Sequence, residues 1–298
     1  MLEALKKKER PDYLAVAFDA GKPTFRHRRF DEYKIQRKPM PDALIAQLPV
    51  VKRILQAYRI AVVELEGYEG EDLLATLAKR LAGRGIETFL VTGDKDALQL
   101  VNSHIKVYNP HHKDGAVLDA ESVRARFGVG PERMVDLMAL SGDDIDNIPG
   151  VPGIGEKTAS QLLQRFGSLE QLYDRLDEVE NPTRRQHLEA ARHQVELARE
   201  LVQVRSDVPL ELTPSDLRLQ EPDWRALRML FRDLEFKRLL SDLDAHLPAA
   251  EGPAHPTHHV VDEHGLKSLV AQLSLDCARD SPRAKQRGVE GLGLGLIR

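Results

Sequence analysis

Eight carboxylates lie at the ends of separate segments of this chain: Asp19, then Glu69, Glu71 and Asp72, then Asp94 and Asp96, then Asp143 and Asp146. Brought to one rim, so many acids repel one another and raise each other's pKa unless cations intervene. Oxygen-only ligands suit hard divalent ions, and Mg2+ or Mn2+ fits carboxylate, water and phosphate coordination. Two such ions about 4 Å apart activate a water and stabilise the leaving oxygen of a phosphodiester in line. No Ser-His or Cys-His nucleophile pattern competes, so the chemistry these residues point to is metal-assisted hydrolysis.

The last acid pair runs directly into a glycine-spaced turn, SGDDIDNIPGVPGIGEKTA over residues 141–159. Gly153 and Gly155 allow a tight backbone turn, and the helix expected from Glu156 aims its unpaired amides at whatever sits there. Lys157 in the first turn opposes the helix dipole, so an external anion explains it better than helix stability does. A nucleic-acid phosphate is such an anion. Residues 25–38, FRHRRFDEYKIQRK, interleave cations with aromatic rings. Bases stack on rings and phosphates pair with guanidinium groups, so single-stranded or frayed nucleic acid is the expected partner.

The elements that must position these groups follow from apolar patterning. Residues 13–18 (YLAVAF), 61–65 and 88–92 read as short buried strands, each followed by an acid-bearing turn. Continuous apolar runs of that length belong to parallel strands covered on both faces, and ligands gather at their C-terminal ends. Strand, turn and helix in repetition predict right-handed crossovers and an α/β fold with a mostly parallel twisted sheet flanked by helices. A helix over 42–55 is expected to kink or split at Pro49. A short hairpin is expected over 105–108 and 116–118. Beyond it the pattern turns helical over 121–127, 131–140, 156–166, 169–176 and 183–204, with an edge strand over 208–212. Helix returns over 222–243, where Trp224 is expected in the core.

The 298 residues are 42% apolar and 30% charged, enough for one large or two smaller globular domains, and no run is long enough to span a membrane. A single cysteine, Cys277, excludes an internal disulfide framework and fits a reducing cytoplasm. The eleven histidines show no zinc-ligand spacing. The net charge of −4 conceals its distribution: residues 22–38 hold seven Lys/Arg against two acids, while the carboxylates cluster elsewhere. A basic clamp beside an acidic pit sums to near neutrality.

Taken in order, Ala17-Phe18-Asp19-Ala20, Phe25-Arg26, Tyr33-Lys34, Gly67-Tyr68-Glu69 with Glu71-Asp72, Thr92 to Asp96 and Gly142 to Ala159 resemble the 5′→3′ exonuclease domain of bacterial DNA polymerase I, in the flap-endonuclease family. The resemblance runs from Met1 to about Leu243. It implies a PIN-like 5′ nuclease core followed by a helical helix-hairpin-helix subdomain. Asp19, Glu69, Glu71 and Asp94, with Asp72 close by, would form the first metal group, and Asp96, Asp143 and Asp146 the second. Lys34 and Arg37 would contact the scissile phosphate at the foot of a helical arch, with Phe25 and Tyr33 where the unpaired end is gripped and Arg26 and Lys38 also binding DNA. Gly150, Val151, Gly153, Ile154, Gly155, Lys157 and Thr158 would hold a duplex strand by its backbone, commonly with K+. The implied substrates are DNA with 5′ flaps, nicks or RNA primers, handled by a monomer in the cytoplasm, at the nucleoid, in replication and repair.

The family opens with a strand ending in Asp-Gly that supplies a metal ligand, and this chain starts after it. A central strand and one ligand are therefore expected to be missing, leaving sheet neighbours unpaired. The expected divisions are a nuclease core over 1–122, a helical subdomain over 123–246, and a linker and tail over 247–298. The tail's last residues, 274–298, lose apolar periodicity and read as disordered or out of frame. A noncatalytic DNA-binding module is the alternative reading, and an RNA-cleaving nuclease a third.

Overall fold

The computed structural model describes residues 2–110, 116–244 and 292–297. It divides into two compact units, residues 1–222 with 289–298 and residues 223–288. In the first, helix α1 (Leu2–Glu9) leads into strand β1 (Tyr13–Phe18), whose last five residues are all buried. A strand with no polar residue on either face needs cover on both, and α5 (Gly70–Ala82) lies against it with Leu73, Leu74, Leu77, Ala78 and Leu81 buried. Between them come α2 (Phe25–Arg29), α3 (Asp42–Ile45), α4 (Leu48–Ala57) and β2 (Ala61–Val63). Pro49 stands in the first turn of α4, where its missing N–H costs nothing, and there the expected long helix divides.

Strands β3 (Thr88–Val91), β4 (Ile105–Asn109) and β5 (Ala116–Leu118) follow. β1 pairs parallel with β2 and β3 parallel with β4, while β4 and β5 form the expected antiparallel hairpin. Helices α6 (Ala120–Phe127), α7 (Met134–Ser141), α8 (Glu156–Phe166), α9 (Leu169–Asp174), α10 (Pro182–Ala190) and α11 (Arg192–Val202) complete this part. The long helix expected over 183–204 breaks at Ala191. One buried cluster runs from Ala15 and Ala17 in the sheet through Leu137 and Leu163 to Leu201, so sheet and helices share a core. Residues 208–212 form no strand. The Arg80 guanidinium takes the carbonyls of Val208 and Leu210, and Thr76 Oγ1 accepts the Val208 N–H, so side chains satisfy that backbone instead.

The sheet order is β2-β1-β6-β3-β4-β5, where β6 is Leu292–Ile297. This corrects two expectations. The neighbours of the missing strand are paired, and the tail contains a strand. β6 runs antiparallel to both flanking strands, Tyr13 to Phe18 on one side and Thr88 to Val91 on the other. Two buried strand edges present rows of N–H and C=O groups that must find partners, and the period-two Leu-Gly run of 292–296 supplies them. The remainder of the expected linker and tail, residues 247–291 and 298, lies outside the described residues.

The second unit holds α12 (Trp224–Asp233) and α13 (Lys237–Asp244). Asp223 caps α12 by accepting the Ala226 N–H. Trp224 is half-buried, while Leu227, Leu230 and Phe231 supply the buried face.

Candidate metal centre and nucleic-acid interface

The first acids meet where β1 ends against the start of α5. Asp19 Oδ1 accepts the Gly70 N–H at 2.6 Å, an approach that Gly70 permits because a Cβ there would lie only 3.2 Å from that oxygen. Burial raises the Asp19 pKa and the neighbouring Glu69 adds to it, against the Gly70 amide. Glu69 is the N-cap of α5, with Asp72 accepting the Glu69 N–H at 3.1 Å in a reciprocal capping box. A cavity of about 260 Å³ opens among Asp19, Glu69, Glu71, Asp94, Lys34 and Arg37.

Glu71, Asp94 and Asp96 bring one carboxylate oxygen each within 4.8 Å of the others. Burial drives the Glu71 carboxyl well above its ordinary range, and Asp94, Asp96 and Glu69 push it the same way. Asp96 is raised well above its range by burial and then by Asp94, Asp146 and Asp143. Its Oδ1 is buried without a hydrogen-bond partner. An orphaned carboxylate oxygen inside a cluster of acids is costly in itself, and a hard divalent ion offers what it lacks. The residues present therefore fit a metal.

Asp143 and Asp146 stand in the loop after α7, closed by paired backbone bonds between Asp143 and Ile148 at 2.8 Å each. Burial would raise Asp143, but the Lys95 ammonium at 2.9 Å and the amides of Ile145 and Asp146 hold it below its usual value. Asp146 is raised by burial, opposed by Lys34 and by the Tyr33 hydroxyl, which donates to it at 2.9 Å. Lys34 Nζ sits 3.0 Å from Glu69 Oε2 and 3.5 Å from Asp146 Oδ2, and Arg37 lies 3.5 Å from Asp146. Burial disfavours the Lys34 charge, yet Glu69 and Asp146 together raise its pKa. Lys34 thus links the first carboxylate group to the second.

Several expected contacts take other places. Asp72 is fully buried, and both its oxygens accept from the Arg26 guanidinium at 2.8 and 2.9 Å, so it belongs to the scaffold beneath the acids. Arg26, only 3% exposed, also donates to the carbonyls of Leu201 and Gln203, which removes it from any surface. Tyr33, also 3% exposed, spends its hydroxyl on Asp146 and Glu69, with the His27 ring edge-on at 5.1 Å. It supports the site from below and offers no free face for stacking. Phe25 is half-buried with the Arg26 and Arg205 guanidinium groups at 4.5 and 4.9 Å from its ring. Lys38 is exposed.

The glycine turn is braced from behind. Gly142 and Gly150 pass so closely that a Cβ on Gly150 would collide with the Ser141 carbonyl. Val151 and Ile154 are buried anchors, leaving only their backbone to any ligand. Gly153 has φ +75°, and Gly155 caps α8 with open space around its missing Cβ. Glu156 and Lys157 are exposed and Thr158 half-buried. Gln194 donates to the Gly150 carbonyl at 2.6 Å, and His187 Nδ1 lies 2.9 Å from the Pro152 carbonyl. These two residues, and Lys95 on Asp143, have roles that residue type and spacing did not signal.

Comparison with known proteins bears on the family and the fold. Residues 1–128 match the family described as 5′-3′ exonuclease, N-terminal resolvase-like domain, and residues 129–225 match 5′-3′ exonuclease, C-terminal SAM fold. The chain is 39% identical over 244 residues to the 5′-3′ exonuclease of Aquifex aeolicus, covering 82% of each. It is 40% identical over 255 residues to DNA polymerase I of Bacillus caldotenax, covering 85% of this chain and 29% of that protein. It therefore spans about three tenths of the polymerase relatives. Among solved structures, a T5 5′-exonuclease with bound zinc ions aligns with a TM-score of 0.57 at 21% identity, over 81% of this chain and 87% of that one. The catalytic core of Rad2 in complex with DNA substrate aligns with a TM-score of 0.52 at 20% identity, over 77% of each. The fold is shared with both, and with matches along most of its length this chain belongs to the 5′-3′ exonuclease family.

Proposed function

We infer that this chain is a divalent-metal-dependent 5′ nuclease that hydrolyses phosphodiesters of DNA, and of RNA primers, at 5′ ends and flaps. The observation that carries this reading is the buried, unpartnered Oδ1 of Asp96 within the Glu71, Asp94 and Asp96 cluster. Those three would hold one ion beside Asp19 and Glu69, with Asp96, expected in the second group, taken into the first because its carboxylate lies with those of Glu71 and Asp94. Asp143 and Asp146 would take part in holding a second. Mg2+ is the proposed ion, with Mn2+ able to replace it, and it supplies Lewis acidity and neutralises charge at the phosphate.

The chain's own residues do the rest. Lys34 and Arg37 face the same cavity as the acids and present cations to a phosphate entering it. Tyr33 and the Arg26–Asp72 pair hold Glu69 and Asp146 from beneath. Leu74, Leu90, Ala97 and Leu100 line the cavity with apolar surface, which strengthens those electrostatic contacts. The amides at the start of α8, with Gly155 and Lys157, would receive a duplex phosphate, and K+ is proposed at the carbonyls of that turn. The same reading has the chain acting as a monomer in the cytoplasm, at the nucleoid, within a DNA polymerase I of replication and repair.

A second reading, a DNA-binding module without catalysis, is favoured by one observation. Asp143 is already neutralised by Lys95, and Asp146 by Lys34 and Arg37. A labelled 5′-flap substrate separates the two. Product in Mg2+ that disappears with chelator and in Asp96→Asn supports the nuclease, whereas binding without product supports the module.

A further inference from the structure

A second basic groove lies outside the carboxylate cavity, beside α2 and the extended segment after α11. Two adjoining cavities of about 550 and 700 Å³ share Phe25, Arg28, Arg205 and Asp207. Together they are lined by five cations, Lys22, Arg28, Arg29, Lys79 and Arg205, against the three acids Glu66, Glu200 and Asp207. Two of those acids are already engaged, Glu66 by Lys22 at 2.5 Å and Glu200 by Arg29 at 2.6 Å. Neither Arg28 nor Arg205 has an ion pair with a carboxylate among the described residues, and both are exposed. Two guanidinium groups without a direct ion pair thus face one groove, in which Asp207 is the one lining acid without an ion pair among the described residues. Glu200 also feels the Arg205 charge, and the lining keeps a net positive charge.

The wall carrying them is fixed. Arg205 is held at its backbone, where its N–H donates to Asp72 Oδ1 at 2.8 Å, and its guanidinium lies 4.9 Å from the Phe25 ring. Asp72 and Phe25 are in turn held by Arg26, which also takes the carbonyls of Leu201 and Gln203. Arg28 reaches back over Gly67, where a Cβ would come within 3.7 Å of its Nη2. A planar guanidinium presents a fork of donors that matches phosphate oxygens, and its face accepts a stacked base.

We propose that this groove is a second strand-binding site, taking a single-stranded nucleic-acid segment by its phosphates on Arg28 and Arg205. The proposal rests on the nucleic-acid reading above for the identity of the polyanion and makes no use of the metal centre. The groove holds a strand and does not cut it.

The test is binding of a labelled oligothymidylate, and of a duplex bearing a single-stranded extension, by the full chain without divalent ion over a range of salt. On a single strand each neutralised phosphate contributes about 0.7 to the slope of log affinity against log salt. Arg28→Gln with Arg205→Gln is expected to reduce that slope by about 1.4 for oligothymidylate and to weaken binding about tenfold or more. Blunt duplex binding should change little. Arg28→Lys with Arg205→Lys should keep the slope while losing affinity, which separates charge from fold damage. An unchanged slope in the glutamine variant overturns the groove while leaving the nuclease reading in place. Failure of the unaltered protein to bind any nucleic acid overturns both. Equal loss of affinity for polyglutamate shows a general polyanion surface and likewise overturns the proposal.

Discussion

Lys34 and Asp146 are joined twice: the Lys34 backbone N–H donates to the Asp146 carbonyl at 3.0 Å, and its ammonium lies 3.5 Å from Asp146 Oδ2. The backbone bond holds Lys34 at φ +56°, a conformation that a residue with a side chain seldom adopts and that costs about 1–3 kcal/mol. The turn is stapled further by Gln36 donating to Asn147 at 2.7 Å and Asn147 donating to the Glu32 carbonyl at 2.8 Å. Lys34 and Asp146, far apart in sequence, are thereby fixed with one ammonium between Glu69 and Asp146.

On the proposed nuclease reading, a cation held at that point would serve the reacting phosphate more than the bound strand. Lys34→Ala is therefore expected to slow single-turnover flap cleavage by about a hundredfold or more, the scale of losing one aimed donor, while affinity falls only a few-fold. Rate and affinity measured on the same substrate decide it, and equal losses in both would count against the role.

The Arg26–Asp72 pair makes the opposite prediction. Removing one partner of a fully buried pair leaves an uncompensated charge and costs about 3–5 kcal/mol. Arg26→Met should lower stability in urea by that order. Arg26→Met with Asp72→Leu should recover only the part due to the lone charge, because the Glu69 and Arg205 amides and the Leu201 and Gln203 carbonyls stay without their partners. If Arg26→Met left stability unchanged while weakening DNA binding, its assignment to the scaffold would be wrong.

That pair also shows what a sequence can disclose. β1 is readable because six apolar residues in a row have no other comfortable place than a covered sheet. The acids are readable because each group follows an element's end, and crowding them has few physical remedies. Arg26 and Asp72 look the same as their functional neighbours, since only a contact 46 residues away distinguishes a buried bidentate pair from a ligand and a clamp. Lys95, His187 and Gln194 carry no local pattern at all, because each acts on a loop formed elsewhere. β6 escaped notice because its Leu-Gly alternation sits within a stretch that has no surrounding helix or strand pattern to frame it.

The glycines of the turn should separate by function. Gly150→Ala places a methyl group against the Ser141 backbone, where nothing can yield cheaply, so it should lower thermal stability. Gly155→Ala meets open space at φ −87°, so the fold should be unaffected. Duplex affinity should nevertheless fall, because the methyl group would stand where a phosphate approaches the α8 amides. Thermal unfolding and duplex binding measured side by side test this, and full affinity in Gly155→Ala would remove the turn from the DNA interface.

Deleting residues 289–298 should expose the inner edges of β1 and β3, which pair with β6 over residues 13–18 and 88–91. Buried backbone groups without partners and an open strand edge favour loss of stability and association between chains. Amide exchange across 13–18 should accelerate, and sedimentation should detect larger species. Unchanged protection of those amides would show that β6 contributes nothing to the sheet.

Metal and proton should compete for the same carboxylates. Glu71 and Asp96 have folded pKa values well above their ordinary ones, so without metal the folded chain binds more protons than the unfolded chain in the interval between. Stability then falls as pH rises through that interval, since the slope follows the protons bound unfolded minus those bound folded. Their favourable contribution is fully present below the unfolded values and is lost as pH climbs through the folded ones. A divalent ion takes the deprotonated form, so Mg2+ should stabilise more as pH rises and should release protons on binding. Glu71→Gln with Asp96→Asn removes both effects. Its melting temperature in chelator, relative to the unaltered chain, should therefore increase between about pH 5 and about pH 8, while its response to Mg2+ disappears. A constant difference across that range would show that the two carboxyls are not raised by folding, and an undiminished Mg2+ response in the variant would show that the ion is held elsewhere.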